Sequence, residues 1–180
     1  MTLGGCGPDQ TVIVLGAGSG VGVAAIQVAK AAGARVIAVS TSAEKLAKAR
    51  ALGADEGVLT PDQDLVRQTI KLTGGRMADN VFEHVGPALF SAALKSLRHG
   101  GRMITCGATT GPTVELELLY VFSRQLQIIG SKMGTQAEMR RVARLVGEGR
   151  FKPVIDRAFP LSQARAAHEY LAEKKQFGKV

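Results

Sequence analysis

Between residues 11 and 106, short apolar runs alternate with amphipathic stretches, and that rhythm constrains the fold more than any other feature of the chain. The runs are 11–15 (TVIVL), 35–39 (RVIAV), 55–59, 79–85 and 102–106. Each has the length of a buried strand. In the stretches between them apolar positions recur at helical spacing, as Val21, Ala25, Val28 and Ala32 do before Gly33. Strands joined by crossovers of about a dozen residues pair in parallel, with right-handed connections. The expected class is therefore α/β, a doubly wound parallel sheet of about six strands with helices on both faces. The core chemistry agrees: 46% of residues are hydrophobic, yet only six are Phe, two Tyr and none Trp. Aliphatic side chains of that kind fill a sheet covered on both sides.

Local signals place the helix ends. Thr41-Ser42-Ala43-Glu44 and Thr60-Pro61-Asp62-Gln63 both fit a capping box, the second with proline at the first helical position. The helices they open are expected to end near Gly53 and Gly74. A further helix is expected over 87–98. Beyond Gly107 the rhythm changes, to a loop over 107–115, a helix over 116–124 and a strand over 125–131. A helix over 136–148, an extended segment over 154–159 and a helix over 162–175 follow, and 178–180 read as the opening of a strand cut short. With no linker and no repeat, residues 1–180 are expected to form a single domain.

The net charge of +8 raises the question of nucleic acid. The cations are scattered over helix surfaces (Arg140, Arg141 and Arg144; Lys174 and Lys175), with no aromatic residues interleaved to stack on bases. No nucleic-acid partner is expected. No apolar run approaches the ~18 residues of a membrane span, so no membrane partner is expected either. The two cysteines, Cys6 and Cys106, form no metal-ligand spacing and no disulfide framework. No metal site and a reducing, cytoplasmic setting are the expectation.

The chemistry is concentrated between the first strand and the first helix, in Gly16-Ala17-Gly18-Ser19-Gly20-Val21-Gly22. Glycine there permits a tight turn and lets backbone approach a pyrophosphate, which the free amides and dipole of the helix start stabilise. A dinucleotide-binding Rossmann domain is the expectation. The spacing departs from G-x-G-x-x-G, because Val21 stands where the third glycine falls counting from Gly16. At the end of strand two, where a carboxylate would accept from the ribose hydroxyls of NAD, the chain has Ser40, then Thr41, Ser42 and Lys45. Without that carboxylate a 2′-phosphate is not repelled, and hydroxyls plus one lysine can hold it. NADP is favoured over NAD. Equally, Thr41 and Ser42 can cap the helix while Lys45 faces solvent.

These residues carry a resemblance. GAGSGVGVAAIQVAKAAGARVIAVSTSAEKLAKARALGADE, FEHVG at 82–86, GGRMITCGATTG at 100–111, QLQIIGSKMGT ending at Thr135, and the last 32 residues resemble, in order, the cofactor domain of medium-chain dehydrogenases/reductases. That group includes the zinc alcohol dehydrogenases and quinone oxidoreductases. The resemblance implies a phosphate loop at Ala17, Gly18, Ser19, Gly20, Val21 and Gly22. It sets His84, Val85 and Gly86 beside the adenosine ribose or the bridging phosphates. Cys106, Gly107, Ala108 and backbone near Ile129 then approach the nicotinamide. For His84 a strand-end hydrogen bond to a neighbour is an equal reading, and Cys106 reads as packing rather than nucleophile. The implied function is cofactor binding for hydride transfer between a nicotinamide and an alcohol, carbonyl, quinone or enone. The family's catalytic domain, which precedes this one, has no counterpart ahead of the phosphate loop. No catalytic residue is therefore assigned, and the chain alone is expected to be inactive. Strand 125–131 resembles the segment through which family members pair, which implies a homodimer.

Two rival readings stand beside this one. Gly16-x-x-x-Gly20-x-Gly22 also fits the short-chain dehydrogenases, and Tyr170 with Lys174 supplies their Y-x-x-x-K. Against it, Arg157 and Ala158 occupy the place of the expected serine, and Pro160 interrupts the approach to the helix. The other rival is a stand-alone NAD(P)-binding or sensing module.

Overall fold

The computed structural model describes residues 5–60 and 62–180. Strands β1 (Thr11–Val14), β2 (Arg35–Ser40), β3 (Glu56–Leu59), β4 (Ala78–Glu83), β5 (Leu97–Thr105) and β6 (Gln127–Gly130) form one sheet in the order β3-β2-β1-β4-β5-β6. Every pairing is parallel. The helices are α1 (Gly20–Ala31), α2 (Ala43–Ala51), α3 (Leu65–Thr73), α4 (Pro87–Lys95), α5 (Leu118–Ser123), α6 (Gln136–Gly147) and α7 (Ala164–Ala172). This is the expected doubly wound fold, in the strand order of a Rossmann domain.

Alternation along each strand sends neighbouring side chains to opposite faces, and helices cover both. Val12, Val14, Val36 and Ala38 pack under α1 and α2 with Ile26. Ile13, Leu15, Ile37, Val39 and Met103 pack on the other side with Phe90 and Leu94 of α4. Each of these larger side chains, from valine up, nearly inaccessible here, contributes roughly 1.5–3 kcal/mol. Connections from β1 and β4 leave in opposite directions, so a crevice opens at the carboxyl ends of these two neighbours.

Several boundaries differ from expectation. Helix α4 ends at Lys95, because Ser96 caps it and turns its carbonyl to the Ala78 amide at 3.0 Å. β5 thus starts at Leu97, opposite Ala78, and the register then shifts so that Arg102 faces Asn80. β4 stops at Glu83, since the Glu83 carboxylate accepts from the Gly86 amide and closes a turn. Of the expected extended segment, Ile155 makes a single parallel bridge, to Lys179.

Neither expected capping box forms. The cap of α2 is Ser42, not Thr41, and Glu44 pairs with Lys48 at 2.7 Å instead of reaching back. The cap of α3 is Asp64, while the Gln63 side chain accepts from the Leu59 amide. Pro61 lies outside the described residues.

Candidate dinucleotide site

The glycine loop closes on itself before the helix starts. Gly16 has φ +55°, a conformation natural to glycine, and its carbonyl accepts from the Ser19 amide at 2.9 Å. Ser19 caps α1, its Oγ accepting from the Gly22 amide at 2.8 Å. The Ala17 amide donates to the Val39 carbonyl at 2.9 Å, tying the loop to β2. A Cβ on Gly22 would stand 2.4 Å from the Gly16 carbonyl oxygen and 2.8 Å from Ala17 Cα. Those obstacles are backbone and cannot yield. Gly22 therefore does the work of close packing that the spacing had left without a glycine at Val21, which is exposed.

His84 braces this loop from beneath. Its Nε2 lies 2.9 Å from the Leu15 carbonyl oxygen and 3.2 Å from Ser19 Oγ. A carbonyl can only accept, so Nε2 carries the proton and donates. His84 therefore makes a strand-end hydrogen bond to its neighbours. The loop also meets the far end of the chain. The Gly178 amide donates to the Gly18 carbonyl at 2.9 Å, and Ser19 and Gly178 form a parallel bridge. A Cβ on Gly20 would fall 2.2 Å from Lys179 Cε and 2.8 Å from its Nζ. A cation thus sits on the first turn of α1, 159 positions from the glycine it covers. Sequence reading took 178–180 only as a broken strand, and no local signal marks Lys179.

At the end of β2, Ser40 is buried and its Oγ accepts from the Ser42 amide at 3.2 Å. Ser42 Oγ accepts from the Lys45 amide at 3.3 Å, which leaves Thr41 exposed and outside the cap. The Lys45 stem runs across Gly18, whose added Cβ would meet Lys45 Cδ at 2.7 Å. Its ammonium donates to the Lys174 carbonyl, so the expected solvent-facing lysine is tethered to the C-terminal segment. Burial draws the Lys45 ammonium below the ordinary lysine range, against the pull of Asp156 and Glu44.

The ends of β4 and β5 are laced together. The Glu83 carboxylate, fully buried, accepts from the Gly86 amide at 2.5 Å and from the Thr105 hydroxyl at 2.8 Å. The Thr109 hydroxyl donates to the His84 carbonyl at 2.8 Å, and Thr110 does the same to Val85 at 2.7 Å. Gly86 adopts φ +90° against the Gly111 carbonyl. Cys106, Gly107 and Ala108 lie exposed on this ledge, beside His84. Partial burial of the sulfur pushes the Cys106 thiol up, and Glu83 adds to it, the opposite of what activates a nucleophilic cysteine. Ile129 stands on β6 opposite Ile104, one strand further out. Most of the sequence-derived residues thus gather along one rim, with Ile129 at its edge. Glu83, Thr109, Thr110 and Lys179 were missed.

Tyr170 sits elsewhere. Its hydroxyl donates to Asp156 at 2.5 Å, and that bond raises its pKa, as do burial and the Asp156 charge. The hydroxyl is thus committed to Asp156, whereas a general acid–base tyrosine needs the opposite shift. Among the described residues no group of three His, Cys, Asp or Glu side chains can hold a metal, and no helix is long and apolar enough to cross a membrane.

Residues 20–148 match the family model described as zinc-binding dehydrogenase. The chain is 34% identical to an acryloyl-coenzyme A reductase of Metallosphaera sedula over 177 residues, 95% of this chain and 50% of that protein. A crystal structure of an NAD-dependent alcohol dehydrogenase superposes with a TM-score of 0.93 at 43% identity, over 98% of this chain and 52% of the other. A 2-octenoyl-CoA carboxylase reductase, solved with NADP and 2-octenoyl-CoA, superposes with a TM-score of 0.87 at 30% identity, over 96% of this chain and 42% of the other. The chain therefore spans about half the length of the relatives it matches.

Proposed function

This chain belongs to the zinc-binding dehydrogenase family of medium-chain dehydrogenases/reductases, and from that premise we propose that it holds NADP for an oxidoreductase whose substrate-binding half lies outside residues 1–180. The observation that carries the reading is the Ser19-capped loop, in which Gly22 lets α1 start against the backbone of Gly16 and Ala17. A pyrophosphate fits there, on the amide end of α1 at Gly20 and Val21, beneath Lys179. Thr41, Ser42 and Lys45 would receive the 2′-phosphate, with Ser40 leaving room where a carboxylate would repel it. His84, Val85 and Gly86 form the floor under the bridging phosphates, and Cys106, Gly107 and Ala108 the ledge toward the nicotinamide, with Ile129 at its outer end. The bound nicotinamide supplies a hydride acceptor or donor for an alcohol, carbonyl, enone or quinone. No side chain on the ledge offers a proton at the reacting oxygen, so the chain by itself turns over no substrate. A soluble, cytoplasmic setting belongs to the same reading.

Titration calorimetry with NADPH and NADH tests this directly. NADPH is expected to bind more tightly, and Ser40→Asp to reverse the order. An unchanged preference in Ser40→Asp removes the strand-two assignment, and no binding of either dinucleotide removes the whole reading. We also propose a homodimer through β6, an edge strand whose Ile128 is exposed, as are Leu119 and Phe122 of the preceding α5. Sedimentation should show a dimer that Ile128→Pro dissociates, and a monomer at high concentration rules it out.

A further inference from the structure

Residues 177–179 cross the phosphate loop as a strap, and its fastenings can be followed one by one. Phe177 is buried in the core beneath α1 and α2. Gly178 is bonded to Gly18, and its φ of +102° brings the chain so close to Val154 that a Cβ would lie 2.3 Å from the Val154 carbonyl oxygen. The Lys179 amide donates to that same carbonyl at 2.9 Å, and the Lys179 carbonyl accepts from the Asp156 amide at 2.8 Å. The strap is thus zipped to 154–156, a segment with little burial of its own. Val154 packs against the core, Gln27 binds the Lys152 backbone, and the Asp156 side chain is taken by the Tyr170 hydroxyl of α7 at 2.5 Å. Arg157 packs its guanidinium over the Phe159 and Tyr170 rings at 5.6 and 5.2 Å, with the two rings 6.0 Å apart.

We propose that Asp156 and Tyr170 are a positioning pair that fixes the strap, and through it holds Lys179 over the first turn of α1 to tighten binding of the dinucleotide's pyrophosphate. The proposal rests on the reading of that turn as the pyrophosphate site. It assigns neither residue a contact with the cofactor. Their effect passes through backbone geometry, along the hydrogen bonds that join 154–156 to Gly178 and Lys179. A free lysine on a loose strap would pay the entropy of ordering at each binding event; a fastened one is already in place.

Two readouts separate the links. Amide exchange at Gly178, whose N–H is bonded to Gly18, reports the strap without any ligand. Tyr170→Phe keeps the ring against Phe159 and Arg157 and removes only the hydroxyl, and Asp156→Asn removes the charge. Both should speed exchange at Gly178 by roughly tenfold, with melting temperature little changed. Calorimetry with NADPH and with inorganic pyrophosphate reports the site. Lys179→Ala should weaken both ligands by about tenfold, and Tyr170→Phe by roughly threefold to tenfold. In the Lys179→Ala background, Tyr170→Phe should add nothing to the loss with inorganic pyrophosphate, because the cation through which the pair acts is then gone. Unchanged exchange in Tyr170→Phe overturns the fastening, with the site reading intact. Faster exchange with unchanged affinity, or additive losses in the double variant, overturns the positioning role. A parent chain that binds neither ligand removes the site reading, and the pair's proposed purpose with it.

Discussion

The two ends of the chain are built on different terms. In β1 and β2, Val12, Ile13, Val14, Val36, Ile37, Ala38 and Val39 are almost wholly inaccessible, and helices close both faces over them. Among residues 131–180 only Phe177 and Gly178 are buried. Helix α6 there is strongly amphipathic, yet it buries no residue, and Met139 and Val142 stay exposed. The segment touches the sheet domain at few points: Gln27 with the backbone of Lys152, Val154 against the core, Lys45 with Lys174, and the strap over the phosphate loop. The first region is held by its own core, and the second is tethered to it. For the proposed dinucleotide cleft, that division puts the glycine loop on the side with a core and Lys179 on the tethered side.

The largest effects should separate the regions cleanly. Ile37→Ala, at a fully inaccessible position, should cost about 3–4 kcal/mol of global stability through lost transfer energy and a cavity. Leu161→Ala, where the side chain is 92% exposed, should stay within about 0.5 kcal/mol. Urea unfolding of both variants checks this, and a comparable loss in Leu161→Ala would show that the tethered region is packed after all.

Next in size is a charge cluster at the opposite end of the sheet. Buried Asp79 accepts from the Thr11 amide at 2.7 Å and from Arg98 Nε at 2.6 Å, with Arg76 at 3.3 Å. Burial alone would raise its carboxyl, but the Thr11 amide, Arg98 and Arg76 outweigh it and hold it below the ordinary range. A folded pKa depressed in this way gives stability that is present above the unfolded value, ~3.9, and lost as pH falls through the folded one. Asp79→Asn should therefore cost about 2–3 kcal/mol at neutral pH, and the gap from the parent should close in acid below about pH 4. Unfolding curves over pH 2–7 measure it. A gap that stays constant in acid would mean that the carboxylate's charge is not what anchors β1 to β5.

Third, Phe177→Ala should cost about 2 kcal/mol, less than a central aromatic, because Phe177 lies at the margin of its core. The strap should detach before the sheet melts. Limited trypsinolysis after Lys174 and Lys175 is then expected to run at temperatures where the sheet's amides remain protected. Simultaneous loss would join the two regions into one cooperative unit.

What could be read from the sequence follows the same division. The parallel sheet and the glycine loop were legible because strand periodicity and the tight turn are local properties, written in consecutive residues such as 11–15 and 16–22. Gly22 was named as the last residue of the phosphate loop, but the obstacle that demands glycine there, the Gly16 carbonyl, is a neighbour in space rather than a position in a pattern. His84, Glu83 and Lys179 act through partners 65, 22 and 159 positions away, in the pairs with Ser19, with Thr105 and with Gly20, and no local rule reaches that far. The capping boxes make the point within one motif. Three segments fit it, at 41–44, 60–63 and 135–138, and only the last forms. At 41–44 the competing cap is Ser42, which Ser40 steadies, and Lys48 takes Glu44. At 60–63 Thr60 is buried and its amide donates to Ser40, so the helix starts later, at Asp64. At 135–138 nothing competes, because nothing packs there.

That solitary box gives the smallest and most selective test. Thr135 Oγ accepts from the Glu138 amide at 3.2 Å, and the Glu138 carboxylate returns to the Thr135 amide at 2.8 Å. The Thr135 amide and then its hydroxyl hold the Glu138 carboxyl below the ordinary range. An isolated 12-residue helix is marginal in water, so α6 depends on its cap far more than α1 does, which has a core beneath it. Thr135→Ala should cost about 1 kcal/mol, all of it local. Amide exchange within 139–147 should quicken roughly fivefold, since about 1 kcal/mol corresponds to that ratio, while the urea midpoint of the sheet stays put. A drop in the global midpoint of the same size would show that α6 is docked onto the sheet in solution. The tethered region would then be part of the core, and the contrast between the two ends of the chain would fall.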